Sequence, residues 1–200
     1  MAKLLLLRHG QILANREGRW HGSTDSPLTL KGRRQAKRTA RYIAGAAPTL
    51  DAIYTSPLQR CRDTAQVIAR RLKMECIVDE ELREYAIGDW EDMPFKQLAD
   101  EHHFFETTRE NHDFAPPGGE SLQGVAARIV CAMRKIHERH ASAAQILLVG
   151  HGAAMAVALG ALLDENPGEW TNYPLANCSL TELMLSPAPY VNFLNSTYHL

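Results

Sequence analysis

Two histidines stand where a chain of this pattern gathers ligands. The apolar run Lys3–Leu7 passes directly into Arg8-His9-Gly10-Gln11, and the run Gln145–Val149 passes into Gly150-His151-Gly152. Both runs are short and lack polar alternation, the pattern of strands buried on both faces of a sheet. Ligands of open α/β sheets bind beyond the carboxyl ends of such strands, and a glycine beside each histidine lets backbone approach a bound group closely. A third run, Ala52-Ile53-Tyr54, leads through Thr55-Ser56-Pro57 to Arg60 and Arg62, one of which can point back to the same strand ends. Arg8, Arg60 and His151 then form a compact cationic clamp for one phosphate, bidentate where geometry allows. A helix N-terminus opening after each glycine adds N–H groups and a dipole that favour the same ion.

The elements that must position these residues are legible around them. Glu75–Val78, Ser179–Leu185 and Val191–Leu194 read as further strands, the last two separated by a Ser-Pro-Ala-Pro turn. Thr29 caps a helix to about Ala44, with Ala36, Ala40 and Ile43 on its apolar stripe and Gln35, Arg38 and Thr39 facing water. Gln59–Lys73 is a second helix. Ser121, after the breaker Pro-Pro-Gly-Gly, caps a third that runs to about His140, and Ala153–Leu163 is apolar enough to be a buried fourth. Strands alternating with helices define an α/β fold: a three-layer α/β/α sandwich on a mostly parallel sheet. Residues 90–120, rich in His, Phe and Trp with two prolines, break the rhythm and read as an insertion over one end of the sheet. The whole of 1–200 is expected to be one domain carrying that insertion.

Bulk properties exclude several classes. Lys and Arg number 22 against 23 Asp and Glu, so nothing calls for nucleic acid or an anionic membrane as partner. Cys61, Cys76, Cys131 and Cys178 form no CxxC pair, which speaks against a zinc ribbon and for small core residues in a reducing compartment. His102, His103 and His112 match no standard metal-ligand spacing. No segment has the length of a signal core or membrane span, so the expected place is the cytoplasm.

The ordered motifs resemble the histidine phosphatase superfamily, which includes cofactor-dependent phosphoglycerate mutase. Arg8-His9-Gly10-Gln11 is similar to its RHG signature, and Asn15 falls on the asparagine of RHGxTxxN. Gly22 to Gly32, with Asp25-Ser26-Pro27-Leu28-Thr29 inside it, resembles GxxDxPLTxxG. Ser56–Ala65 resembles SPLxRxxxTA, and Leu82-Arg83-Glu84 with Gly88-Asp89-Trp90-Glu91 resembles LxE followed by GxWE. Gly119-Glu120-Ser121, Gly150-His151-Gly152, Asn177 and His199 also fit. The likeness covers the whole chain in order. The family has a hydroxyl residue two positions after the RHG glycine; here it is Ile12, which can neither donate to phosphate nor orient His9.

The resemblance implies a phosphoglycerate mutase-like fold and a phosphatase for a small-molecule phosphate monoester, with neither metal nor cofactor. It makes His9 the nucleophile, a role that suits an imidazole largely neutral near pH 7. Arg8, Arg60 and His151 would bind phosphoryl oxygens, and Glu84 would protonate the leaving oxygen and then help activate water. Gln11, Asn15, His21, Gly22 and Gly152 would be substrate or phosphate contacts. The segment Gly88–Glu91 followed by a His-rich insertion is similar to the α-ribazole phosphatase branch. The runner-up is a mutase, whose chains in this family carry a larger insertion and a C-terminal tail; an end at Leu200 just after the last strand points to hydrolysis instead. A phosphate-binding protein without catalysis is the third reading, motivated by Ile12.

Overall fold

Leu4 and Leu6 project from one face of the first strand and Leu7 from the other, and each face is covered by helices. The computed structural model of the chain describes residues 2–45, 50–140 and 144–200. Its elements run β1 (Lys3–Arg8), α1 (Leu13–Glu17), α2 (Leu30–Gly45), β2 (Ala52–Thr55), α3 (Gln59–Leu72), β3 (Ile77–Val78), α4 (Phe95–Asp100), α5 (Phe104–Glu110), α6 (Leu122–Glu138), β4 (Gln145–Gly150), α7 (Gly152–Leu163), β5 (Leu180–Met184) and β6 (Tyr190–Ser196). Single 3-10 turns lie at Glu80–Leu82, Gly88–Trp90 and Pro167–Asn172.

The strands form one sheet in the order β3-β2-β4-β1-β5-β6. β1 pairs in parallel with β4, β2 with both β4 and β3, and β5 runs antiparallel to its neighbours β1 and β6. Ala36, Ala40 and Ile43 of α2 and Ala65, Ile68 and Ala69 of α3 pack with Leu7, Ile53 and Val149 on one face. Val125, Ile129 and Met133 of α6 and the apolar α7 pack with Leu4, Leu6 and Leu148 on the other. This is the three-layer α/β/α arrangement with a mostly parallel sheet that the alternation of strands and helices predicts. Among the described residues no helix is long and apolar enough to cross a membrane.

The predicted caps form: Thr29 Oγ1 accepts from Gly32 N at 3.0 Å, and Ser121 Oγ from Gly124 N at 3.1 Å. Thr39, expected to face water, is buried, its hydroxyl bonded to Gln35 O at 3.1 Å and paired with His199 Nε2 at 2.9 Å. A threonine that satisfies its hydroxyl locally is tolerated on an apolar helix face. β3 keeps only two of the four predicted residues, since a sheet edge offers it one neighbour. Residues 90–120 contain two short helices, α4 and α5, where sequence offered an irregular insertion.

Two glycines set the site's floor. A Cβ on Gly32 would lie 2.2 Å from Gln11 O, and one on Gly10 would lie 2.6 Å from Gly32 O, so the first turn of α2 sits directly on the loop after β1. Thr29 N donates to Gln11 O at 2.9 Å across the same contact.

Candidate active site

His9 ends β1 nearly buried, at 2% exposure. Its Nδ1 lies 2.8 Å from Gly10 O. A carbonyl only accepts, so Nδ1 carries the proton and Nε2 keeps its lone pair. The loop around it is pinned three ways: Gly10 N donates to Thr64 Oγ1 at 3.1 Å, Asn177 Nδ2 to His9 O at 3.1 Å, and Cys178 N to Arg8 O at 2.9 Å. Burial, with Arg60 and Arg8 beside it, holds the imidazole well below its ordinary basicity.

Arg60, 1% exposed, begins α3 and uses its guanidinium as a three-way brace. Nη2 donates to Gly22 O at 2.6 Å, Nη1 to Thr24 O at 2.7 Å and Nε to His151 Nδ1 at 3.3 Å. His151 therefore accepts at Nδ1 and donates from Nε2 to Ser56 Oγ, 2.8 Å away. Burial and the neighbouring Arg60, His9 and Arg8 keep His151 neutral as well. The two imidazole rings stand 5.3 Å apart, centroid to centroid, tilted by 65°. Arg8 lines the same cavity; Nη1 donates to Leu175 O, and Nε has no partner among the described residues. Arg62 is exposed and does not line the cavity.

The helix N-terminus that sequence offered to phosphate is taken by a side chain. Glu84 Oε1 accepts from Ala154 N at 2.7 Å and Tyr85 N at 2.9 Å, and Oε2 from Ala153 N at 3.3 Å, so its carboxylate caps α7 while lining the cavity. Arg128 fixes the segment that carries Glu84, donating to the carbonyls of Glu81 and Arg83 at 2.7 and 3.0 Å while paired with Glu120 at 2.8 Å. The sequence gives no signal for Arg128 beyond its place two turns along α6 from Glu120.

The predicted contact residues separate. Asn15 lines the cavity; its Oδ1 accepts from Ile12 N and Asn177 Nδ2 at 3.2 and 2.9 Å, and its own amide makes no donation among the described residues. Gly22, His21 and Gly152 line it too. Gly152 has the Arg8 guanidinium against it: a Cβ there would lie 3.1 Å from Arg8 Cζ. Gln11 does not line the cavity; its Oε1 accepts from Thr29 Oγ1 at 3.1 Å, so the side chain serves the α2 cap. Ile12 does line it, buried beside Ala14 and Leu28. The orienting function that Ile12 cannot supply falls to Gly10 O.

Glu91, with no assigned part in the sequence reading, clamps the loop that Arg60 braces. Its oxygens accept from Ser23 N and Oγ at 2.7 and 2.6 Å and from Thr24 N and Oγ1 at 2.8 and 2.6 Å. His21 Nδ1 lies 2.5 Å from Asp92 Oδ1 in the adjoining turn. The cavity encloses about 380 Å³, within the range of small-ligand sites. Among the described residues no three His, Cys, Asp or Glu side chains come together as a metal site.

The two depressed imidazoles link stability to pH. Folded, both stay neutral well below 6.5, the value each has when unfolded. Below that pH the unfolded chain binds more protons than the folded one, so stability is full above about pH 6.5 and falls as pH drops toward the folded values. The melting temperature should therefore decline between about pH 7 and 5, and the double variant His9→Asn/His151→Asn should show a shallower decline; equal slopes would contradict the assignment.

A strand-end histidine with two arginines beside it stands at the carboxyl edge of a mostly parallel sheet in an α/β sandwich. The chain belongs to the histidine phosphatase superfamily, branch 1, whose sequence profile matches residues 4–191. It is 30% identical over 203 residues to phosphoserine phosphatase 1 of Hydrogenobacter thermophilus, covering 100% of this chain and 95% of that protein. It is also 32% identical to a bifunctional protein of Mycobacterium tuberculosis, of whose length the chain spans 55%, about half. Among solved structures, phosphoserine phosphatase of Entamoeba histolytica in complex with 3-phosphoglyceric acid superposes with a TM-score of 0.89 at 30% identity, covering 100% of both chains. The fold is thus phosphoglycerate mutase-like.

Proposed function

We propose that this chain hydrolyses a small-molecule phosphate monoester through a phosphohistidine on His9. One observation carries the reading: His9 is held neutral, with Nδ1 committed to Gly10 O and Nε2 free beside Arg8 and Arg60. Nε2 attacks phosphorus and the bond from phosphorus to the ester oxygen breaks. Arg8, Arg60 and the Asn15 amide stabilise the charge spreading over the equatorial oxygens, while His151, whose two ring nitrogens are taken by Arg60 and Ser56 and which does not line the cavity, holds the Arg60 guanidinium in place. The proton that a monoanionic ester brings passes by way of Glu84 Oε2, the oxygen with only the longer backbone contact, to the leaving oxygen. Water then attacks phosphorus, its proton passes to Glu84, the N–P bond breaks and inorganic phosphate leaves. The likeness to phosphoserine phosphatases of Hydrogenobacter thermophilus and Entamoeba histolytica supports hydrolysis, and relatives called probable phosphoglycerate mutases, 32–33% identical, keep the mutase as the second reading. The four free cysteines support a reducing compartment such as the cytoplasm as the place of action.

Rapid quenching during turnover of a radiolabelled ester tests this. The expected result is an acid-labile, base-stable phosphoenzyme that maps to His9 and decays to inorganic phosphate. Isomerisation of 3-phosphoglycerate outpacing phosphate release, with a trace of bisphosphoglycerate present, would establish the mutase instead. Tight phosphate binding without turnover of any ester would establish the non-catalytic reading.

A further inference from the structure

Resting on that reading of the same site, we infer that the preferred ester carries an apolar ring on a short alcohol: an arylalkyl phosphate rather than a carboxylate-bearing one. The cavity has two halves of different chemistry. Its inner end holds Arg8, His9, Arg60 and Glu84, enough for one phosphoryl group and its proton. Elsewhere it is lined by Trp20, Phe95, Phe105 and Trp170, clustered ring to ring, and by Ile12 and Tyr173, with Arg19, His21 and Thr171 among its polar lining.

The basic side chains left over at the mouth already hold contacts of their own. Arg19 Nη1 donates to Asp92 O at 2.7 Å and its Nε lies 3.6 Å from Glu17 Oε2, while His21 is bound to the Asp92 carboxylate. Among the basic side chains of the cavity's described lining, Arg8 Nε and His21 Nε2 are the buried nitrogens without a partner, and Arg19 stays at the exposed mouth. A substrate carboxylate carried along that wall would be pressed unpaired against aromatic rings, an arrangement that costs binding. An apolar ring meets the opposite condition, because it removes both itself and the wall from water.

The wall is also built to hold a fixed shape. Trp20 Nε1 donates to Tyr85 O at 3.2 Å, and its indole meets Phe104 and Trp170 edge-on at 5.3 and 6.0 Å. Edge-to-face contacts of this kind fix ring orientation as well as burying area. Phe95, the first residue of α4, is 41% exposed at the rim, and Phe105 of α5 is only partly covered. A ligand ring seated there covers apolar surface that the fold itself leaves wet.

The experiment compares kcat/KM for benzyl phosphate, glycerol phosphate and phosphoserine. All three release a primary alcohol, so leaving-group chemistry is matched and the difference reports the wall. Benzyl phosphate should exceed both others by at least about tenfold, and Phe105→Ala and Phe95→Ala should each bring the benzyl-to-glycerol ratio toward one. Phosphoserine or glycerol phosphate equalling benzyl phosphate, or a ratio unmoved in both variants, would overturn the inference. Should no ester turn over, the phosphatase reading fails, and calorimetry with the phosphonate analogues of benzyl phosphate and phosphoserine still decides the preference: tighter binding of the benzyl analogue upholds it and the reverse order sinks it.

Discussion

Exchanging His9 for asparagine should lower kcat by about a millionfold, the size of effect seen when an enzyme loses its covalent nucleophile. That corresponds to about 8 kcal/mol of barrier. Asparagine keeps a donor that can reach Gly10 O, so the loop after β1 stays tied by the same contact. Arg8 and Arg60 are untouched, and inorganic phosphate should still bind within a few-fold of the parent. Steady-state turnover and rapid-quench trapping check this together. A variant retaining a tenth of the parental rate, or still yielding a phosphoenzyme, would mean that His9 is not the residue phosphorylated.

Arg60→Ala should be nearly as severe and should differ in kind. Activity is expected to fall about a thousandfold, as when a transition-state donor is deleted from a water-poor site. Stability should fall too, because the carbonyls of Gly22 and Thr24 and Nδ1 of His151 all lose their donor. A buried acceptor left unpaired costs about 1–3 kcal/mol, so a loss of about 2–4 kcal/mol is expected with partial relaxation of the loop. Arg60→Lys should rescue little, since one ammonium cannot brace three acceptors lying in the plane of a guanidinium. Kinetics and denaturant midpoints on both variants provide the check. A lysine variant within about threefold of the parent in kcat/KM would show that charge alone, not the planar brace, is what the site uses.

That Arg8, His9, Arg60 and Glu84 share one cavity was legible because most of them follow strand ends. His9 and His151 follow apolar runs, Arg60 follows a third, and the order of motifs along the chain tied Glu84 to them. What stayed hidden depends on which of two neighbours wins a group. The N-terminus of α7 suited a phosphate as well as it suits Glu84, and only the path of residues 80–86, held by Arg128, decides between them. Gln11 sits one residue beyond Gly10 yet turns to the cap of α2, because Gly32 brings Thr29 within reach. The helices α4 and α5, of six and seven residues, are too short for an apolar period to repeat. The aromatic wall assembles Trp20, Phe95, Phe105 and Trp170 from four separate stretches, and no local pattern marks such a set in advance.

The strand that carries His9 lies inside the sheet, laddered to β4 on one side and β5 on the other along nearly its whole length. The edges, β3 and β6, carry none of the reacting groups. Fluctuations of a fold begin at such edges and reach a doubly paired central strand last. Fraying at those edges leaves the strand that leads to His9 in place, and opening that strand is expected only together with the sheet.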